Sequence, residues 1–386
     1  MALGFILRGT LAPVRKRPKM KNEFMDEAFR LARLGLGRTS PNPAVGAVVV
    51  CGGEIIGRGF HLYAEKKHAE VTALEEARDR ARNATLYITL EPCAHRGRTG
   101  PCAGIVIAAG ITRVVAAMED PNPLVSGGGF RELRAAGIDV EFASDYKADA
   151  EKLNEPFLHF MRRGKPLVML KAAVTLDGKI AAPEDNSGWI TSEKARAHVQ
   201  VVRHYSDAIA TGIGTVLADD CLLNDRSGLE RSRPLLRIVL DSVLRIPLHS
   251  KMVASCNGDL LVATTSAASQ ERRRALEAKG VEVLELDSHG GRVDLRRLVE
   301  ALAQRRYLSL MLEAGSKLNW AALDSGIVDK IFFYYAPKIL GGATSLPVVG
   351  GAGRKRRSDA ILLNDLQVHM VAENEFAVEA YVHRNN

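Results

Sequence analysis

The sequence predicts two consecutive α/β domains, residues 23–164 and 165–386, behind a basic tail at 1–22 that is expected to be disordered. Three observations predict this. Strand-like and helix-like hydrophobic periods alternate along nearly the whole chain, the pattern of mixed sheets covered by helices. A length of 386 residues suits two domains of ordinary size. A helical stretch from 145 to 164 separates two blocks, each with enough apolar runs for its own core.

Taken in order, Phe24, Ala28, Leu31, Ala32 and Leu34 recur at helical spacing, and Gly35 and Gly37 end that helix. The polar, proline-rich loop 39–43 leads to a strand at 44–50, a turn at 51–54 and a returning strand at 55–60. A helix spans 68–83, and a strand spans 85–90. The next helix opens at Pro101-Cys102, where proline needs no backbone donor. A strand at 113–118, a helix at 129–136 and a strand at 138–142 complete the first domain. In the second, 166–174 reads as a buried strand, and Ser192 caps a helix at 193–204. Strands follow at 207–211, 235–240, 259–263, 281–285, 308–313, 330–336 and 376–383, with helices at 271–279, 294–304 and 316–324. No G-x-G-x-x-G follows a first strand, so an ordinary dinucleotide-binding Rossmann domain is not supported.

The net charge of +8 suggests nucleic acid until it is located. Arg8, Arg15, Lys16, Arg17, Lys19 and Lys21 stand in an acid-free tail, and Arg354–Arg357 form one short run read as a solvated loop. The remainder carries −2, which is no surface for tracking phosphates. The tail is Arg-rich like an organellar targeting peptide, yet it has one Thr, no Ser and no amphipathic face. A start upstream of the real one, at Met20 or Met25, accounts for it as well. No run of eighteen apolar residues predicts a membrane span. Five cysteines without a secreted framework's spacing read as reduced thiols, which points to a cytoplasmic location.

Chemistry concentrates in His68-Ala69-Glu70, answered by Glu91-Pro92-Cys93 and then Cys102. One imidazole and two thiolates make a three-ligand zinc set with a fourth position open for water, as catalytic rather than structural zinc requires. Glu70 is placed to move that water's protons. H-x-E followed by P-C and a further cysteine is the known signature of zinc nucleobase deaminases, here with eight residues between the cysteines. Singly, such a histidine reads as a solvated or capping residue and such a cysteine as a small core residue. The combination is what points to metal. Cys51, Cys221 and Cys256 lack that context, and His95 is assigned to the substrate wall because the fourth position must stay open.

Ser40-Pro41-Asn42-Pro43-Ala44-Val45-Gly46, the run Thr89–Cys102 and Asp120-Pro121-Asn122-Pro123 resemble the bifunctional pyrimidine deaminase–reductases of riboflavin biosynthesis. The long loop between the cysteines is that family's mark. The second half matches too, at Leu176-Asp177-Gly178, Ser187-Gly188-Trp189-Ile190-Thr191, Gly212-Ile213-Gly214-Thr215 and Glu313-Ala314-Gly315-Ser316. The resemblance implies a cytidine-deaminase-like αβα domain followed by a dihydrofolate-reductase-like α/β domain, with Zn2+ and NADPH as cofactors. It implies substrate contacts at Asn42, His61, Arg98, Asp120 and Asn122 in the first domain, and at Ser187, Arg203, Leu223, Arg226 and Glu313 in the second. It implies NADPH contacts at Ala173, Trp189, Thr215, Asp219, Ser242 and the helix start Gly315, Ser316, Lys317, Leu318, Asn319, Trp320 and Ala321. Lys171 and Asp219 are the candidates for polarising or protonating the reduced group. Arg203 and Arg226 suit a ribose phosphate, because guanidinium binds phosphate oxygens as a fork. The sequence departs from the family at Ala64-Glu65-Lys66-Lys67, at Gly100 and at Pro183-Glu184-Asp185-Asn186.

The expected partner is a phosphorylated pyrimidine, with no membrane and no nucleic acid, in a homo-oligomer. The competing reading is a nucleic-acid base deaminase with an appended binding domain, which predicts salt-sensitive affinity for RNA or DNA. The slightly acidic body of the chain opposes it.

Overall fold

A computed structural model describes residues 22–94, 100–122, 126–184 and 187–383, so the basic tail through residue 21 and Arg98 lie outside the described residues. The first domain runs α1 (Glu23–Leu34), β1 (Gly46–Cys51), β2 (Glu54–Phe60), α2 (Ala69–Ala77), β3 (Thr85–Ile88), α3 (Cys102–Ala108), β4 (Arg113–Ala116), α4 (Gly128–Ala135) and β5 (Asp139–Phe142). Its sheet has the order β2-β1-β3-β4-β5. β1 is antiparallel to β2 and β3, while β3, β4 and β5 are parallel.

Local chemistry explains these elements. The Asn22 side chain accepts from the backbone N–H groups of Phe24 and Met25, and Glu23 and Asp26 favour the positive end of α1. Gly52 and Gly53 both take positive φ, as the tight β1–β2 turn requires. Helix α2 is shorter than its hydrophobic pattern suggests. Arg78 takes a φ of 53° and the chain tightens into a 3-10 turn, Arg78–Ala81, which keeps Ala77, Ala81 and Ala84 all buried.

Where one helix is expected at 145–164, two form: α5 (Lys147–Leu153) and α6 (Glu155–Arg163). The break is at buried Asn154, and Pro156 starts the second helix without needing a donor. The Asn154 side chain pairs with both backbone groups of Ala44, accepting from its N–H at 2.7 Å and donating to its carbonyl at 2.9 Å. The connecting helices are thereby tied to the segment that leads into β1.

The second domain comprises β6 (Leu167–Thr175), β7 (Lys179–Ala181), α7 (Glu193–His204), β8 (Ala208–Gly212), α8 (Ile213–Asp219), β9 (Leu236–Leu240) and α9 (Lys251–Ala254). It continues with β10 (Leu260–Thr264), α10 (Gln270–Glu277), β11 (Glu282–Glu285), β12 (Ser288–His289), β13 (Arg292–Val293), α11 (Leu295–Gln304) and β14 (Ser309–Leu312). Last come α12 (Ser316–Asp324), β15 (Lys330–Ala336), β16 (Leu346–Pro347), β17 (Leu363–Ala372) and β18 (Glu375–Val382). A nine-stranded sheet has the order β11-β10-β9-β8-β14-β6-β15-β18-β17. It is parallel from β11 to β15, and β18 and β17 close it as an antiparallel pair. The parallel strands β9 and β10 are buried at every residue, so they read as largely apolar runs, interrupted in β9 by buried Arg237, which Asp259 pairs at 2.7 Å. β17 has no counterpart among the expected strands. It is an exposed edge, and register shifts between Asn364 and Gln367 break its alternation.

In the first domain the helices lie on glycines. A Cβ on Gly57 or Gly59 of β2 would stand 2.1 Å from the carbonyl oxygen of Ala73 or Ala69, and one on Gly46 of β1 would stand 2.0 Å from that of Ala28. Only bare backbone lets α2 sit this close to β2, and α2 carries the site. Gly59→Val should therefore push α2 off the sheet and cost about 1–3 kcal/mol. Chemical denaturation of the zinc-loaded protein would measure the loss, and metal analysis should find less zinc retained.

Candidate active sites

Three elements bring the first site together. His68 stands just before α2 with extended backbone and no capping bond from its side chain, so its imidazole can turn toward the sulfurs. Cys93 follows the end of β3 through Glu91-Pro92, and Cys102 is the first residue of α3. His68 Nδ1 lies 3.1 Å from Cys102 Sγ and 3.6 Å from Cys93 Sγ, and all three ligand atoms fall within 4.8 Å of one another. Donors on a tetrahedral zinc, bound at about 2.0–2.3 Å, stand about 3.3–3.8 Å apart, so the set fits that ion. The Cys102 thiol, by its hydrogen bond, holds Cys93 down to about 4, while the same bond and burial push Cys102 up. Binding a divalent cation would displace the proton the sulfurs share.

Glu70 lies in the first turn of α2, buried, and burial raises its carboxyl to about 7. His61 donates from Nδ1 to the Lys67 carbonyl at 2.7 Å, which leaves Nε2 to accept from the Asn42 amide at 3.1 Å. Burial keeps this ring neutral by lowering its pKa. Its ring meets that of His68 edge-on at 5.4 Å, so the Asn42–His61 pair borders the metal set. The departing loop at 64–67 is thereby built into the site. The Lys67 carbonyl fixes the His61 tautomer, and the Lys67 ammonium is held by Glu75 at 2.8 Å. Asp120 is buried and accepts from the Asn122 backbone N–H at 2.9 Å.

Sequence reasoning overlooked Glu91. Its buried carboxylate accepts from the backbone N–H groups of Asp120, Gly127 and Phe130, at 3.0, 3.0 and 3.2 Å. It thus ties the strand end that delivers Cys93 to the loop carrying Asp120 and to α4. The signal was present: an acidic residue between a buried strand and Pro-Cys is unusual, but its three partners lie 29 to 39 residues away.

In the second domain Glu313, at the end of β14, lies between Lys171 of β6 at 3.1 Å and Arg203 of α7 at 2.6 and 2.9 Å. Burial alone would raise its pKa, but the two cations hold it down to about 2. Arg203 also donates to the Asn224 carbonyl at 3.0 Å, so its fork is engaged within the protein. Arg226 is exposed, its backbone N–H held by Gln200. Leu223 is buried at a φ of 52°, a conformation that a branched side chain rarely adopts. Ser187 is exposed.

The expected cofactor residues surround the ends of the parallel strands. The starts of α8 and α12 face each other, since a Cβ on Gly315 would stand 3.9 Å from Thr215 Oγ1. Thr211 Oγ1, Ser316 Oγ and Asn319 Oδ1 are buried there without a protein partner. A cofactor rich in ribose hydroxyls and amide donors fits such orphaned oxygens. Within α12 the beginning faces this space. Leu318 and Ala321 pack against the core, and Trp320 lies under the Arg354 guanidinium at 5.2 Å. Ser242 accepts from the Val293 N–H, and Trp189 is exposed with Arg196 stacked on it at 4.7 Å. Ala173 is half-buried on β6, Lys317 occupies the first turn of α12, and Asp219 ends α8 with its carboxyl raised by partial burial.

Comparison with known proteins agrees with both halves. Residues 18–118 match the cytidine and deoxycytidylate deaminase zinc-binding region, and residues 166–373 match the RibD C-terminal domain. The riboflavin biosynthesis protein RibD of Escherichia coli is 43% identical over 345 residues, 85% of this chain and 92% of that protein. That of Actinobacillus pleuropneumoniae is 40% identical over 352 residues, covering 91% and 93%. Acinetobacter baumannii RibD superposes with a TM-score of 0.83 at 37% identity, covering 94% of this chain and 98% of that one. A Thermotoga maritima diaminohydroxyphosphoribosylaminopyrimidine deaminase/5-amino-6-(5-phosphoribosylamino)uracil reductase gives 0.80 at 35% identity with the same coverage.

The role of Glu91 is open to direct test. Glu91→Ala leaves two buried N–H donors and a half-buried one without their acceptor, a loss of about 2–4 kcal/mol. Urea unfolding should register it, and zinc stoichiometry should fall because Cys93 is no longer anchored.

Proposed function

The chain belongs to the RibD family, whose members are deaminase and reductase in one polypeptide of riboflavin biosynthesis, and we propose that residues 23–164 perform the first step and 165–386 the second. The substrate is 2,5-diamino-6-(5-phosphoribosylamino)pyrimidin-4-one. It is deaminated to the uracil, and the ribosyl group is then reduced to ribityl. The observation that carries this reading is the convergence of His68, Cys93 and Cys102 beside buried Glu70, in one chain with the Lys171–Glu313–Arg203 cluster.

His68, Cys93 and Cys102 hold zinc. When bound, zinc supplies a Lewis acid that brings the pKa of a water from 15.7 to about 7 and so makes a nucleophile at neutral pH. Glu70 would carry the attacking water's first proton to the ring nitrogen and its second to the departing amine, which leaves as ammonia as the carbonyl forms. Its raised pKa suits a group that must both accept and donate near neutrality. Asn42, His61, Arg98, Asp120 and Asn122 grip the pyrimidine, ribose and phosphate. With His61 Nδ1 committed to Lys67, the Asn42–His61 pair enters as one preset unit.

In the second domain bound NADPH would supply a hydride, with C1′ of the sugar in its open or imine form as the acceptor. Ala173, Trp189, Thr215, Asp219, Ser242 and residues 315–321 bind the cofactor. Lys171 has donors to spare beyond its bond to Glu313, and it polarises the accepting group, with Asp219 as proton source. Ser187, Arg203, Leu223, Arg226 and Glu313 hold the substrate. With Arg203 engaged by Glu313, exposed Arg226 is the cation that meets the phosphate.

The partner is a small phosphorylated molecule rather than nucleic acid, because basicity is confined to the tail and one loop. Among the described residues no helix is long and apolar enough to cross a membrane. A cytoplasmic setting suits the five unpaired cysteines, two of which are metal ligands. Edge strand β17 exposes Leu366, Val368 and Met370, each by more than half, which favours a homo-oligomer that covers it.

Glu70→Ala tests the acid–base assignment. Ammonia release should fall by about 10²–10⁴-fold. NADPH oxidation on pre-deaminated intermediate should persist, and zinc should stay bound. Survival of ammonia release would remove Glu70 from the mechanism.

A further inference from the structure

Two loops meet where the domains join. The loop from Gly37 to Asn42 leaves α1 and ends on the residue whose amide holds His61. The loop from Leu223 to Arg233 follows α8 and begins with the reductase residues Leu223 and Arg226. Between the loops sits His204, the last residue of α7, which is 2% exposed. Its Nδ1 lies 2.9 Å from Asp225 Oδ2. Arg231 spans the same carboxylate oxygen at 3.3 Å and donates to the carbonyl oxygens of Arg203, His204 and Ser206.

On its other side the imidazole lies flush against the first domain. A Cβ on Gly37 would stand 2.3 Å from His204 Nε2, and Gly37 has a φ of 78°, so glycine is required twice over. The contact continues past it. Ser232 donates its N–H to the Gly37 carbonyl at 3.0 Å and its hydroxyl to the Ser40 carbonyl at 3.3 Å. Arg233 reaches the Ser40 hydroxyl at 3.2 Å, and Arg38 pairs with Glu230 at 2.8 Å.

We infer that the buried His204–Asp225–Arg231 cluster is a positioning device, through which the deaminase loop Gly37–Asn42 holds the reductase's substrate loop Leu223–Arg226 in its working shape. The inference rests on the assignment of that loop to the reductase substrate. Consecutive residues of α7 grip consecutive residues of the loop: Arg203 holds the Asn224 carbonyl, and His204 holds the Asp225 carboxylate. Leu223 immediately precedes them at positive φ. Such a conformation is strained and persists only where neighbours over-determine it. Asn224 and Asp225 are those neighbours, and His204 is backed by the other domain. His204 touches no reacting atom. It acts on the reductase through the loop.

The test uses the full-length protein loaded with zinc and assayed on the pre-deaminated substrate. In His204→Leu the KM for that substrate should rise about tenfold, the equivalent of one charge-assisted hydrogen bond, while the KM for NADPH and the zinc content stay as they were. His204→Asn, whose amide can donate to Asp225 from near the position of Nδ1, should restore most of the loss. Gly37→Ala, wholly within the deaminase domain, should reproduce the substrate KM rise, and it keeps the test alive should His204→Leu not fold. Glu313→Ala is the control for the site itself. If it leaves reduction intact, the assignment of the reductase site fails. If it abolishes reduction while Gly37→Ala and His204→Leu leave the substrate KM unchanged, or shift both KM values alike, the positioning role is overturned.

Discussion

A divalent cation's demand for three soft donors around one point, with a fourth position left open, organises the first half of this chain. His68, Cys93 and Cys102 come from the start of one helix, the end of one strand and the start of another helix. They meet only if α2 lies almost in contact with β2, and the glycines at 57 and 59 make that approach possible. They stay together only if the β3 end is tied down, which Glu91 does through three backbone donors. Glu70 inherits its environment from the same packing: the helix that presents His68 also buries the carboxylate two residues later. Metal ligation, acid–base tuning and close helix–sheet contact are therefore one constraint seen at three scales.

The second half solves a different electrostatic problem. A carboxylate as buried as Glu313 is tolerable only when paired, and Lys171 and Arg203 pair it from two elements that sequence separation keeps far apart. The result is a preset charge pattern at the ends of parallel strands, where open α/β sheets bind their ligands. Close by, oxygens of Thr211, Ser316 and Asn319 are buried without a protein partner. The domains are not beads on a string. Lys330 is bonded to Glu155, and Ser232 and Arg233 to the 37–40 loop, so each domain's loops are partly shaped by the other.

Much of this was legible in the sequence because its signals were local. His68-Ala69-Glu70, Pro92-Cys93 and Cys102 are short motifs whose chemistry follows from residue type and spacing, and buried parallel strands such as β10 read as largely apolar runs because both faces are covered. The resemblance to a known family then supplied what spacing alone could not, the second activity. The features that stayed hidden depend on partners distant in the chain. Asn154 reads as a helix residue until Ala44, 110 positions earlier, claims its side chain. Arg203 gives no hint in the sequence of its partner Glu313, 110 positions later. The end of α2 is set by a positive φ at Arg78 that no propensity predicts, and β17 is obscured by bulges that break its alternation.

The proposed function has one phosphorylated pyrimidine deaminated first and reduced second. Incubation of the zinc-loaded protein with 2,5-diamino-6-(5-phosphoribosylamino)pyrimidin-4-one, with and without NADPH, decides this when the products are followed by mass. Without NADPH a single product should accumulate in which one amino group has been exchanged for oxygen, with ammonia released in equal amount. With NADPH that product should give way to one carrying two further hydrogens. A reduced product that still retains both amino groups, or no change of mass in the absence of NADPH, is incompatible with this order of steps.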